Sequence, residues 1–243
     1  MDKTFIWDYD DTLAWNQHDY CYAQVKFLRW VLDRLGPKAP DAQTMLNMEV
    51  GIDHESVKAM GFQMERFPTS FRETYHRICQ KAGIEDPVGE SHAYDIGMLA
   101  FDENRYWGQG LVEGAAGTLD FLVAQHDELI LLTKGDERVQ RKKLRATQLN
   151  KWFGDRMHIV ARKIQQDITD IAGSRDPNKV WHVGNSFRSD VKPALKAGIW
   201  MIYIPYETWA YEREHDDDLT AEQRSRLITF GKITDVRDNY HLL

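Results

Sequence analysis

Cysteine is nearly missing from this chain: Cys21 and Cys79 are the only two in 243 residues. Their separation matches no zinc-ligand spacing and two thiols make no disulfide framework, so a reducing compartment is expected. No apolar run approaches the length that spans a bilayer, and the N-terminus lacks the apolar h-region of a secretory signal. Basic blocks are missing too. Lys and Arg are scattered through a chain of net charge −7, which argues against broad nucleic-acid or anionic-membrane binding but leaves room for a small anion in a local pocket. Internal repeats and low-complexity segments are absent. These absences predict a soluble, cytoplasmic protein whose partner is a small molecule rather than a nucleic acid or a membrane.

What is present is enough for a sizeable core: 42% of residues are hydrophobic and 12% aromatic. The chain has two textures. From about Asn16 to Gly110 no strand pattern stands out. Cys21, Val25, Leu28, Leu32 and Leu35 recur at helical spacing and end at Gly36-Pro37, predicting a helix that buries this stripe. Further helices are expected around Asp41–Met60, Ser70–Lys81 and Val88–Phe101. From about Glu113, short apolar runs alternate with helical segments. The runs are Leu129–Leu132, His158–Val160, Val180–Val183 and Trp200–Ile204; the helices lie near Ala115–Gln125, Glu137–Leu149, Gln165–Ala172 and Asp190–Ala197. Near-continuously apolar strands separated by helices indicate a parallel sheet covered on both faces. Together with the opening run Thr4–Trp7, this predicts an α/β doubly wound parallel sheet (residues 1–15 and 113–243). A helical domain (16–112) is inserted after its first strand. The mixed-charge stretch Glu212–Arg226 reads as a solvated loop and helix face.

Ligands of open α/β sheets bind at the carboxyl ends of the strands, and four such ends carry chemistry here. The first strand stops at Asp8-Tyr9-Asp10-Asp11-Thr12, three carboxylates that repel one another unless a cation neutralises them. Asp8 and Asp10 could place a side chain and a carbonyl on one metal ion. The second strand ends in Thr133-Lys134-Gly135-Asp136, whose Thr133 hydroxyl and backbone amides could hold phosphoryl oxygens, or simply cap a helix. Lys163 follows the third strand. The fourth ends in Gly184-Asn185-Ser186, with Asp190 opening the next helix.

These residues, in this order, resemble the haloacid dehalogenase-like superfamily, specifically its phosphatase branch with an inserted helical cap of the C1 type. Asn185 lies 22 positions after Lys163, a separation similar to that family's. Asn185 departs from the pattern, since many members have aspartate there. An amide oxygen still ligates a hard cation but adds no charge, so Asp190 is expected to supply the missing negative ligand, directly or through water, with Asn185 as the second candidate.

The resemblance implies a Mg²⁺-dependent phosphohydrolase of a small phosphorylated metabolite. Asp8 would attack phosphorus and form an aspartyl-phosphate. Asp10 would lend its carbonyl to the metal and its side chain as general acid, then general base. Lys163 would hold Asp8 ionised and stabilise the transferring group. Thr133, Lys134 and Lys163 would bind the phosphoryl oxygens; Asp8, Asp10, Asp190 and Asn185 would form the metal site. An acid–base residue at position 10 favours phosphate chemistry over the superfamily's dehalogenases. A phosphomutase, a phosphonate hydrolase (needing a cap lysine, for which Lys58 and Lys81 are unremarkable) or a non-catalytic binding protein on the same fold are the alternatives. Trp15, Asn16 and Gln17 could face substrate, and Arg66 could grip an anionic group. Cys21, His158 and His182 are expected to serve packing.

Overall fold

The computed structural model describes residues 3–206 and 219–243. The chain divides into two compact units, residues 1–15 with 106–243 and residues 16–105. In the first, six strands form one sheet: β1 (Thr4–Trp7), β2 (Glu128–Lys134), β3 (Met157–Val160), β4 (Val180–Gly184), β5 (Trp200–Tyr203) and β6 (Leu227–Thr229). Their order is β3-β2-β1-β4-β5-β6, every neighbouring pair parallel. The chain winds outward from β1 through β2 to β3, then returns to lay β4 on the other side of β1. The crevice at the carboxyl ends of β1 and β4 is therefore the topological switch point.

Period-two alternation sends successive strand residues to opposite faces. Phe5, Trp7, Leu129, Leu131, Trp181 and Val183 pack on one side with Leu119 and Leu122 of helix Ala115–Ala124 and with Trp152, Phe153 and Val236. Ile6, Ile130, Leu132, Val180 and Met201 pack on the other with Ile168 of helix Gln165–Ala172 and with Ala194 and Leu195. Both faces are closed, so the strands are apolar almost throughout.

Two details of this unit differ from the sequence expectation. Residues 106–112 belong with the sheet, because Val112 N donates to Leu13 O at 2.8 Å and Leu111 bridges Ala14. Strand β6 was not expected. Three residues carry too little pattern to stand out, and pairing with the edge of β5 makes them a strand. Of the expected mixed-charge loop and helix Glu212–Arg226, residues 212–218 lie outside the described residues, and Ala221–Ser225 is helical.

The second unit is helical: α1 (Gln17–Leu35), α2 (Ala42–Met60), α3 (Arg66–Ala82) and α4 (Pro87–Met98). The Asp41 side chain caps α2 by accepting from Thr44 N, and Asp86 caps α4 by accepting from Gly89 N. The α1 stripe predicted from spacing is not the buried one. Asp19, Ala23, Phe27 and Val31 face inward, while Cys21 is exposed and Val25 is 65% exposed. Two interactions select that face. Phe27 stacks edge-on to Phe71 at 4.8 Å, and buried Asp19 accepts from Arg105 Nε at 2.7 Å. Among the described residues, no helix is long and apolar enough to cross a membrane.

Candidate active site

Asp8 is the first residue beyond β1, and its N–H extends the ladder by donating to Val183 O at 2.8 Å. The chain then turns back sharply. Leu13 N and Ala14 N both donate to Tyr9 O, and Asp11 takes a left-handed conformation with φ 58°, which Asp tolerates better than most residues. This turn brings the Thr12 hydroxyl onto Asp8 Oδ2 at 3.0 Å.

The other Asp8 oxygen accepts from Lys163 Nζ at 2.6 Å, and the same ammonium donates to Asp190 Oδ1 at 2.6 Å. All three side chains are almost wholly buried. Asp190 is further held by Ser186 N on Oδ2 at 2.9 Å and by His182 Nε2 on Oδ1 at 2.9 Å. The segment Phe187–Val191 makes one wide turn in which Val191 N donates back to Ser186 O, and Ser186 Oγ accepts from Ser189 N. Such widened turns are frequent at functional sites. Gly184 is required beneath it, since a Cβ there would collide with the Asp190 carboxyl.

One ammonium between two buried carboxylates leaves an excess of negative charge. Burial, helped by the Asp190 charge, pushes the Asp8 carboxyl up to about 7 despite the opposing Lys163. Burial also works against ionisation of Asp190, but Lys163 and the His182 hydrogen bond together hold it below the usual carboxylate range. Lys163 is raised: burial opposes its charge, and Asp190 and Asp8 outweigh burial. Burial lowers His182, which is consistent with a neutral ring donating from Nε2.

Thr133, the penultimate residue of β2, is buried, and its hydroxyl has no hydrogen-bond partner among the described residues. Asn185, the first residue beyond β4, is buried as well. Lys134 Nζ donates to Ser189 Oγ, tying the end of β2 to the wide turn after β4. The Asp10 carboxyl takes partners of its own: its Oδ1 accepts from Lys143 Nζ at 2.9 Å and its Oδ2 from Gln140 Nε2 at 2.7 Å.

The structure thus brings Asp8, Lys163 and Asp190 into direct contact and places Thr133, Lys134, Asn185 and Asp10 at the same carboxyl edge of the sheet. Thr12, Gln140 and Lys143 contact Asp8 or Asp10 and were not among the expected site residues. Their neighbours in sequence are equally polar (an acidic turn around Thr12, a basic helix around Gln140 and Lys143), so nothing in the linear chain marked them. His182 was expected to serve packing; it is buried, but as a donor to Asp190. His158 and Cys21 are exposed rather than packed. Arg66 is neither a surface residue nor an exposed grip, for it is buried in the helical unit and paired with Asp53. Trp15 lies against Tyr206, ring centroids 5.3 Å apart.

Among the described residues, no three His, Cys, Asp or Glu side chains converge as a ready metal cluster. The oxygen donors suit a hard cation nonetheless. Asp8 carries a carboxylate destabilised by burial and by Asp190, Asn185 offers an amide oxygen, and Asp10 offers a main-chain carbonyl. Mg²⁺ is typically held by one or two carboxylates, with waters completing the octahedron. Asp190 already receives three donors, so of the two expected ligands after β4 Asn185 is the less committed.

No family model matches the sequence, and no curated protein matches it. Solved structures do. A haloacid dehalogenase-like family hydrolase from Xanthomonas campestris is 21% identical, with a TM-score of 0.69 over 99% of this chain and 95% of that one. A HAD-hydrolase from Bacillus subtilis, solved bound to magnesium, is 15% identical with a TM-score of 0.57 over 99% and 98%. A 2-haloacid dehalogenase from Pseudomonas syringae pv. Tomato is 16% identical with a TM-score of 0.57 over 100% and 99%. With its six-stranded parallel sheet, its long helical insertion after β1 and these likenesses along the whole chain, the protein has the haloacid dehalogenase-like fold.

Proposed function

We propose that this protein is a divalent-cation-dependent phosphatase of a small phosphorylated metabolite, working through an aspartyl-phosphate on Asp8. The observation that carries the reading is the Lys163 ammonium shared at 2.6 Å by Asp8 and Asp190, with the acid–base candidate Asp10 two residues from the nucleophile. A phosphate monoester is a dianion, so a carboxylate attacking it needs positive charge close by. Lys163 supplies one such charge. Mg²⁺, held by Asp8, the Asp10 carbonyl and Asn185 with Asp190 behind them, would supply two more when bound. The magnesium bound to the related B. subtilis protein supports that choice of ion.

In the first displacement an Asp8 oxygen forms a bond to phosphorus as the ester P–O bond breaks, and Asp10 delivers a proton to the leaving oxygen. The Thr133 hydroxyl and the Lys163 ammonium would hold phosphoryl oxygens. In the second, a water oxygen attacks the phosphorus of the aspartyl-phosphate while Asp10 takes its proton, and Asp8 departs as a carboxylate. Dehalogenases share this fold. Asp10 favours phosphate chemistry, since its acid–base capacity has a use on an alcohol leaving group and none on a halide.

The test is hydrolysis of p-nitrophenyl phosphate with Mg²⁺ and with a chelator. Turnover should require the ion, and D8N should be folded and inactive. Phosphate-free release of halide from a 2-haloacid, or normal turnover by D8N, would refute the reading.

A further inference from the structure

Helix Glu137–Ala146 follows β2 and is strongly basic, yet two of its polar side chains are buried. Gln140 and Lys143 are 3% and 4% exposed. Three residues apart, they share one helix face, and both end on Asp10. Lys143 Nζ donates to Oδ1 at 2.9 Å, and Gln140 Nε2 donates to Oδ2 at 2.7 Å. The Gln140 amide is braced in turn, its other hydrogen going to the Lys134 carbonyl at 2.7 Å. Lys143 Nζ lies 5.7 Å from the centre of the buried Tyr106 ring.

Burying a lysine is costly, and a buried ion pair is often no more stable than an apolar pair of the same volume. Packing alone would be served as well by a methionine, so the ammonium calls for another explanation. Each carboxylate oxygen has two acceptor positions, and the Asp10 side chain is still 24% exposed. One donor on each oxygen fixes the plane of the carboxyl without closing its open side.

We propose that Lys143 and Gln140 are positioning residues that orient Asp10 for proton transfer to the leaving group. This inference rests on the phosphatase reading above. In the step concerned, the Asp10 O–H bond and the ester P–O bond break while the leaving oxygen gains the proton and Asp8 gains the phosphorus. The carboxylate so formed on Asp10 then faces the Lys143 ammonium. The benefit is confined to leaving groups that need a proton. An alkoxide does; p-nitrophenolate does not.

The experiment is a leaving-group series, kcat/KM for Mg²⁺-loaded wild type, K143M, K143R and Q140M on aryl and simple alkyl phosphates. Positioned general acids contribute on the order of 100-fold or more. K143M should therefore lose about 100-fold on an alkyl phosphate and under about 3-fold on p-nitrophenyl phosphate. K143R should recover part of the alkyl activity, and Q140M should show the same selectivity in weaker form. Urea unfolding checks that each variant retains its fold. An equal loss across the series, or no loss, overturns the positioning role while leaving the phosphatase reading intact. Failure of wild type on every phosphate ester defeats the reading itself.

Discussion

Removing the ammonium from the Asp8–Lys163–Asp190 cluster has a consequence that depends on pH in a defined direction. In K163M, two buried carboxylates lose the one cation that each contacts at 2.6 Å. Breaking a buried pair by deleting one partner costs about 3–5 kcal/mol, and here the deletion strands two charges. The raised Lys163 and the depressed Asp190 together mean that their pairing stabilises the fold across neutral pH. The Lys163 share is lost only as pH climbs through its raised folded value. The Asp190 share is lost as pH falls below the ordinary carboxylate range. Asp8, already up at about 7, takes a proton more readily still without Lys163. The deficit of K163M should therefore be largest near about pH 8 and shrink toward about pH 5, where protonation relieves the repulsion. Urea unfolding of wild type, K163M and K163M/D190N at several pH values measures it, with the double variant recovering part of the loss. A deficit that is the same at every pH, or a double variant no more stable than K163M, would refute the electrostatic account.

Two further perturbations follow from the same geometry. In G184A the new methyl meets the Asp190 carboxyl; a loss of about 1–3 kcal/mol is expected from overpacking, with weaker activation by Mg²⁺, and wild-type stability would contradict the assigned contact. Glu49, buried in the helical unit with Ser70 Oγ at 2.7 Å and Gln24 Nε2 at 2.8 Å, is pushed up to about 7 by burial, with Asp53 adding to it. A raised carboxyl binds its proton in the folded state first, so stability should fall as pH rises from about 4.5 to about 7, by about 3 kcal/mol from this group. E49Q should flatten that fall in thermal melts, and an unchanged slope would remove Glu49 as its source.

The chemistry-bearing residues were legible in the sequence because each sits at the end of a short apolar run. Asp8, Thr133, Lys163 and Asn185 are marked by polarity where a strand stops, and the alternation of runs with helical segments implied a parallel sheet before any contact was known. The α1 face was misread for a physical reason. Two stripes about half a turn apart both suit a helix, and the aromatic packing of Phe27 and the Asp19–Arg105 pair, not spacing, choose between them.

What the sequence settled by itself was local: five of the six strands, the main helices and the residue types that close them, read from periodicities of two and 3.6 residues. Tertiary structure alone decided who meets whom. Lys163 reaches Asp8 across 155 positions because the parallel sheet gathers its strand ends at one edge, and Lys143 reaches Asp10 across 133 from the helix that follows β2. His182 became a donor to Asp190 for the same reason. Its strand position places it beside Ile6 on the face where Gly184 leaves room for the carboxyl, a relation that no spacing in the linear chain expresses.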